Sequence, residues 1–157
     1  MSRAHVLDLV GTLARLGLAA VWLVSGTLKA IDLDQTVVAV RAYDVLPKAA
    51  VPVVAGVLPW LEIALGLLLL AGFATRAVAV AAAGLLLVFV AGVAQAWVRG
   101  LSIDCGCFGG GGVVDEGQTA YGSELLRDAG LLLLAGWLIV RPRTLGVLRL
   151  SRQKERV

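Results

Sequence analysis

Residues 77–98 read AVAVAAAGLLLVFVAGVAQAWV, an apolar run whose one strongly polar side chain is Gln95. At a rise of ~1.5 Å per residue, such a run as a helix crosses the roughly 30 Å hydrocarbon core of a bilayer. The run is continuous rather than alternating and is far too long for a barrel strand, so helix is the expected state. Three further runs share this character. Residues 9–31 carry Arg15 near their start and Lys29 near their end. Residues 51–71 are entered through Pro47 and Pro52 and hold Pro59 and Glu62. Residues 125–140 are shorter and are preceded by Gly122-Ser123, which predicts an N-cap at the helix start. The first run is too long for a secretory signal and is not closed by an A-x-A cleavage site. A proline inside a membrane helix is tolerated where neighbours satisfy the freed carbonyl.

The composition agrees. The chain has 157 residues, 59% hydrophobic and 16% charged, with a mean hydropathy of +0.90. A soluble domain keeps about a quarter of its residues charged. The expectation is an all-α, integral membrane four-helix bundle, with lipid as its main surroundings and one domain over residues 1–141. Residues 142–157 form a basic tail, and the net charge of +3 belongs to that tail rather than to a nucleic-acid-binding face.

Basic residues near span ends set the orientation. Arg141, Arg143, Arg149, Arg152, Lys154 and Arg156 follow the fourth run with Glu155 as the opposing acid, and Arg76 lies in the short second link. Both segments suit the cytoplasm. The third link holds Asp104, Asp115 and Glu116, and the first is mixed. Both termini are therefore expected to be cytoplasmic, in the cytoplasmic membrane of a bacterium, with the third link extracytoplasmic.

Of the intramembrane charges, Arg15 and Lys29 are each placed to snorkel towards a headgroup layer. Glu62 lies near mid-span, where an acid is costly and normally has a partner or a function. Counted along the helices, Arg15 lies roughly 9 Å and Glu62 roughly 15 Å from the inner ends of their spans, so a Glu62–Arg15 pair is expected. A proton-handling or ligand role for Glu62 is the alternative.

The third link contains Ile103-Asp104-Cys105-Gly106-Cys107-Phe108, then four glycines at 109–112. Two cysteines one glycine apart can close on each other only with strain. Strained disulfides are the labile, exchange-active ones. A nearby cation would favour a thiolate, and Lys29, Arg99 and Arg127 are the candidates, while Asp104 acts against it or accepts a proton. The glycine run reads as a hinge or as a plain surface turn. An inert pair and a metal site are the competing readings of the cysteines. Zinc normally takes four ligands, and the single histidine, His5, is expected across the membrane, so no metal is assigned.

Together, Arg15 with Ser25-Gly26-x-x-Lys29 and the Asp104-Cys105-Gly106-Cys107-Phe108-Gly109 loop resemble the MauE branch of the DoxX-like membrane proteins. The second patch is the more specific. The resemblance covers essentially the whole chain and implies extracytoplasmic disulfide chemistry with a thioredoxin-like partner, in support of disulfide formation in the small subunit of methylamine dehydrogenase. Membrane thiol oxidases with four helices commonly relay electrons through two cysteine pairs, and this chain has one. The leading expectation is a thiol–disulfide oxidoreductase component using Cys105 and Cys107, with quinone, held near Gln95 and Trp97, as a candidate acceptor. Trp97 also reads as an interfacial anchor. Two alternatives come from other classes. One is a non-catalytic assembly subunit packed through Gly66, Ala81 to Ala83 and Gly92. The other is a small transporter coupled through Glu62, although no internal repeat is visible.

Overall fold

A computed structural model describes residues 3–145. Its helices are α1 (Arg3–Ile31), α2 (Leu33–Ala42), α3 (Val51–Ala71), α4 (Thr75–Val98) and α5 (Tyr121–Val140). Between α4 and α5 two short strands, β1 (Ile103–Asp104) and β2 (Gly112–Val113), pair antiparallel, Ile103 opposite Val113. Helices α1, α3 and α4 are each long and apolar enough to cross a membrane. The apolar run at 125–140 does become helix, but α5 begins earlier, at Tyr121, and its first two turns carry Glu124, Arg127 and Asp128.

Outward faces of these helices are apolar. Val57, Trp60, Leu87, Val88 and Leu133 are all more than half exposed. So much bare hydrocarbon around a small bundle would be a liability in water and is the expected surface in lipid. The interior is built from Leu18, Trp22, Leu69, Ala79, Ala82, Leu86, Ala135 and Leu138.

Helices α1 and α3 pack closely. A Cβ on Gly26 would sit 2.7 Å from the Pro59 carbonyl oxygen and 2.9 Å from the Glu62 Cβ, and one on Gly66 would sit 2.7 Å from the Leu23 Cγ. Glycine at these two positions lets the backbones approach, the usual role of small residues between membrane helices. Of the small residues expected to serve assembly, Gly66 and Ala82 are buried inside the chain, whereas Ala81 is exposed.

One local expectation is corrected and two features are added. The first link is not plain loop: Asp32 caps α2 by accepting from the Gln35 backbone N–H at 2.9 Å, which turns the chain straight into a second helix. Ser123 does not cap α5. That helix starts after Ala120 without a side-chain cap, and the Ser123 hydroxyl donates to the Ala120 carbonyl at 2.8 Å, a bond satisfied within the first turn. Finally, the start of the tail folds back on α1, where the Leu145 N–H donates to Thr12 Oγ1 at 2.9 Å. Its basic residues from Arg149 onward lie outside the described residues.

Candidate functional site: a cysteine loop held on a buried ion pair

Ser25 and Lys29 stand one helical turn apart on one face of α1. Opposite them, in the register that Gly26 allows, is Glu62 of α3. Lys29 Nζ lies 2.9 and 3.0 Å from the two Glu62 carboxylate oxygens and 2.6 Å from Ser25 Oγ. Its third partner is the Cys107 carbonyl oxygen, at 3.3 Å. An ammonium has three donors, and all three are used. The Ser25 hydroxyl lies 2.7 Å from Glu62 Oε2 and 2.6 Å from the Cys107 carbonyl oxygen, and its one proton serves either. The side chains of Lys29 and Glu62 are 8% and 0% exposed. A buried ion pair recovers its desolvation cost only when the remaining donors and acceptors are satisfied, as they are here.

The expected Glu62–Arg15 pair is therefore wrong, and so is a Lys29 snorkelling to the surface. Glu62 directs its carboxylate towards Ser25 and Lys29. Arg15 lies beside the far end of α3 and donates to the carbonyls of Leu69 at 3.1 Å, Leu70 at 3.3 Å and Leu145 at 3.0 Å. Counting depth from estimated span ends missed the register set by the glycine contacts.

The cysteine loop is braced from several sides. The Tyr43 hydroxyl donates to the Cys105 carbonyl at 3.2 Å, and Gln35 Nε2 donates to the Gly111 carbonyl at 2.6 Å. Tyr121 accepts from the Ile103 N–H at 3.2 Å and donates to the Leu101 carbonyl. Arg127 lies 4.9 Å over the Phe108 ring, a cation–π contact. The glycine run is consequently shaped rather than loose. Gly111 has φ +96°, and a Cβ there would lie 2.7 Å from both the Ala39 Cβ and the Gly106 Cα. Gly111→Ala is expected to cost more than about 1 kcal/mol, since alanine is strained at positive φ and the space is taken. A lowered melting temperature with faster alkylation of Cys107 is the result that checks it.

The two sulfurs are not equivalent. Cys105 is buried, Cys107 is partly exposed, and no bond joins them. The Cys107 backbone N–H points to Cys105 Sγ at 3.3 Å, and Arg127 Nη2 lies 4.0 Å from that sulfur. Hydrogen bonds from Cys107, side chain first, and then Arg127 hold the Cys105 thiol below its ordinary pKa, against burial and the nearby Glu124. Cys107 moves the other way. The hydrogen bond it gives Cys105, its burial and the charge on Cys105 raise it, while Lys29 and Arg127 offset this only in part.

Other expected participants are sorted by the geometry. Arg127 reaches the cysteines; Arg99 does not, being exposed and ion-paired with Asp44 at 3.0 Å. Asp104 accepts from the Gly106 N–H at 3.3 Å. Gln95 is committed to the Tyr43 carbonyl and to Arg99, and Trp97 lies against Tyr121. A cavity of about 150 Å³ instead opens beside the cysteines, lined by Tyr43, Val54, Val88, Phe89, Cys105 and Cys107 among others. Oxygens of Asp104 and Glu124 lie within 4.8 Å of Cys105 Sγ. The Arg127 guanidinium on the same sulfur opposes a cation there, and no metal site is assigned.

Sequence reasoning passed over Tyr43, Glu124 and Asp128. Both acids are buried on α5, each with an oxygen that has no hydrogen-bond partner. Their spacing of four on a helix, next to Arg127, was the available signal.

These features define a helical membrane protein with a dithiol loop seated on a buried ion pair. Residues 7–141 match the family described as methylamine utilisation protein MauE, and the chain belongs to that family. It is 41% identical over 98 residues to the methylamine utilization protein MauE of Paracoccus denitrificans, an alignment covering 62% of this chain and 53% of the relative. The matched region thus spans about half the relative's length. No solved structure matches the chain.

Proposed function

We propose that this protein is the membrane component of a thiol–disulfide exchange system, with Cys105 as the exchanging sulfur and Cys107 as the resolving one. The observation that carries this reading is the asymmetry at Cys105 Sγ, which receives the Cys107 N–H at 3.3 Å and faces Arg127 at 4.0 Å. A stabilised thiolate is both the better-populated nucleophile and the better leaving group. Cys107 keeps its proton until the mixed disulfide must be resolved.

Family membership supports a role in methylamine utilisation; the exchange reading adds a thioredoxin-like protein as the extracytoplasmic partner. In the proposed topology α5 is the fourth span. Its 20 residues measure ~30 Å as helix. Glu124 and Asp128 are buried and Arg127 is half-buried, so the charges face the bundle. Residues 1–141 then form one four-span domain in a bacterial cytoplasmic membrane, with both termini inside and the cysteine loop outside. The apolar cavity touches both cysteines and is rimmed by Val88, 64% exposed midway along α4. A reactant entering there comes from the lipid, which suits a quinone as two-electron acceptor.

Alkylation with a membrane-impermeant maleimide, before and after mild reduction, tests this reading. The expected result is a pair protected as isolated and labelled from outside after mild reductant. Thiols that stay free under oxidising conditions would remove the exchange reading and leave an assembly role.

A further inference from the structure

Between α1, α4, α5 and the cysteine loop lies a second, much smaller cavity of about 20 Å³, lined by Ser25, Cys107, Phe108, Arg127 and Asp128 among others. A void needs roughly 10–15 Å³ to hold one water, which also needs polar partners. Asp128 supplies one. It is 2% exposed, its Oδ1 accepts from Arg127 Nε at 3.1 Å, and its Oδ2 has no hydrogen-bond partner. A buried carboxylate oxygen left bare costs free energy that a structure normally avoids. It becomes useful where a proton must be received.

We propose that Asp128 is the proton acceptor for Cys107, through a single water in this cavity, when the cysteine pair closes to a disulfide. This rests on the exchange reading above. In the first step the Cys105 thiolate attacks one sulfur of an external disulfide. A Cys105–S bond forms, the external S–S bond breaks, and one external thiolate leaves. In the second, the Cys107 thiol gives its proton by way of the water to Asp128, and its sulfur attacks Cys105 Sγ. The Cys105–Cys107 bond forms and the second external thiolate leaves. The pair has lost two electrons and the external disulfide has gained them. The proton on Asp128 passes on to solvent. In reverse, protonated Asp128 returns the proton to Cys107 as it leaves.

The environment suits a proton that moves only when chemistry demands it. Facing the pair are Tyr43 at the end of α2, Lys29 from α1 with Glu62 of α3 behind it, Asp104 within the loop, and Glu124 and Arg127 from α5. Lys29 and Glu62 neutralise each other, and Arg127 is shared between Asp128 and Cys105. Asp128 is the acid that shares the small cavity with Cys107.

The test uses the full chain in detergent, reduced and mixed with less than one equivalent of 5,5′-dithiobis(2-nitrobenzoate), so that a second release requires closure of the pair. Attack by Cys105 releases one coloured thiolate and closure by Cys107 releases the second, so the two steps are read separately. In Asp128→Asn the first phase is expected within about twofold of wild type and the second slowed about 100-fold near neutral pH, the scale of a lost acid–base group. The deficit should shrink as pH rises and hydroxide takes over, and Asp128→Glu should restore most of the second phase. An unchanged second phase overturns the proposal. So does an equal slowing of both phases, which would mean that Asp128 acts only by holding Arg127. Should Asp128→Asn not fold, Asp128→Ser decides: a slowed second phase with a normal first supports the proposal, and two normal or two equally slowed phases refute it. Wild-type protein that releases no second thiolate defeats the exchange reading itself, a separate outcome.

Discussion

Glu62→Leu is expected to destabilise the protein by about 3–5 kcal/mol, the scale seen when one partner of a buried ion pair is removed. Lys29 would remain in the bundle with its side chain 8% exposed and its charge uncompensated. Its other partners, Ser25 Oγ and the Cys107 carbonyl, are neutral and do not replace a carboxylate. The double change Lys29→Met with Glu62→Leu should recover most of the loss, because apolar residues of similar volume often substitute for a buried pair without net cost. Recovery should stop at stability. Without the ammonium the Cys107 carbonyl keeps only the Ser25 hydroxyl, so the loop should label faster with maleimide in the double variant although its melting temperature is normal. An unchanged melting temperature in Glu62→Leu alone would show that the pair does not hold the bundle. Under the transporter reading, Glu62→Gln would instead stop flux while the cysteines were dispensable.

How far such a pair could be read beforehand depends on what sets its geometry. Apolar runs announced α1, α3 and α4, because a bilayer constrains length and polarity more tightly than water does. The same signal was weaker for α5, where Glu124, Arg127 and Asp128 dilute the run. Partner choice for Glu62 was not legible. It follows from the contact of Gly26 with Pro59 and Glu62, a register fixed by packing between helices rather than by spacing along either one. The short helix α2 was missed because ten residues of mixed charge look like a link, though Asp32 and Gln35 carried an ordinary capping signal. That helix supplies the wall against which Gly106 and Gly111 rest, so missing it made the glycine run look like a hinge. The cysteines were conspicuous, but their inequality was not. It depends on Arg127, twenty residues beyond Cys107 in sequence, and on which way the Cys107 N–H points.

That inequality yields the second large effect. Cys107→Ser should accumulate a mixed disulfide through Cys105, either with an extracytoplasmic thioredoxin-fold protein in cells or with a small disulfide in vitro. Cys105→Ser should accumulate almost none, because the remaining thiol lacks the contacts that favour its ionised form. Either variant should lose net dithiol oxidation by a factor of about 1,000 or more, since resolution needs both sulfurs. The pH dependence gives the sign independently. A thiol whose pKa is lowered reaches full ionisation at lower pH, so alkylation of Cys105 should rise with pH and level off below the ordinary thiol value near 8.5. Arg127→Leu removes a cation at 4.0 Å and should move that plateau to higher pH, with slower alkylation below it. Trapping at Cys107 in the Cys105→Ser protein, together with a plateau that ignores Arg127, would reverse the roles of the two sulfurs. The loop would still be a dithiol site, but the exchanging sulfur would then be the one held by its backbone carbonyl to Lys29 and Ser25. The ion pair would accordingly bear directly on the reacting residue rather than on the resolving one.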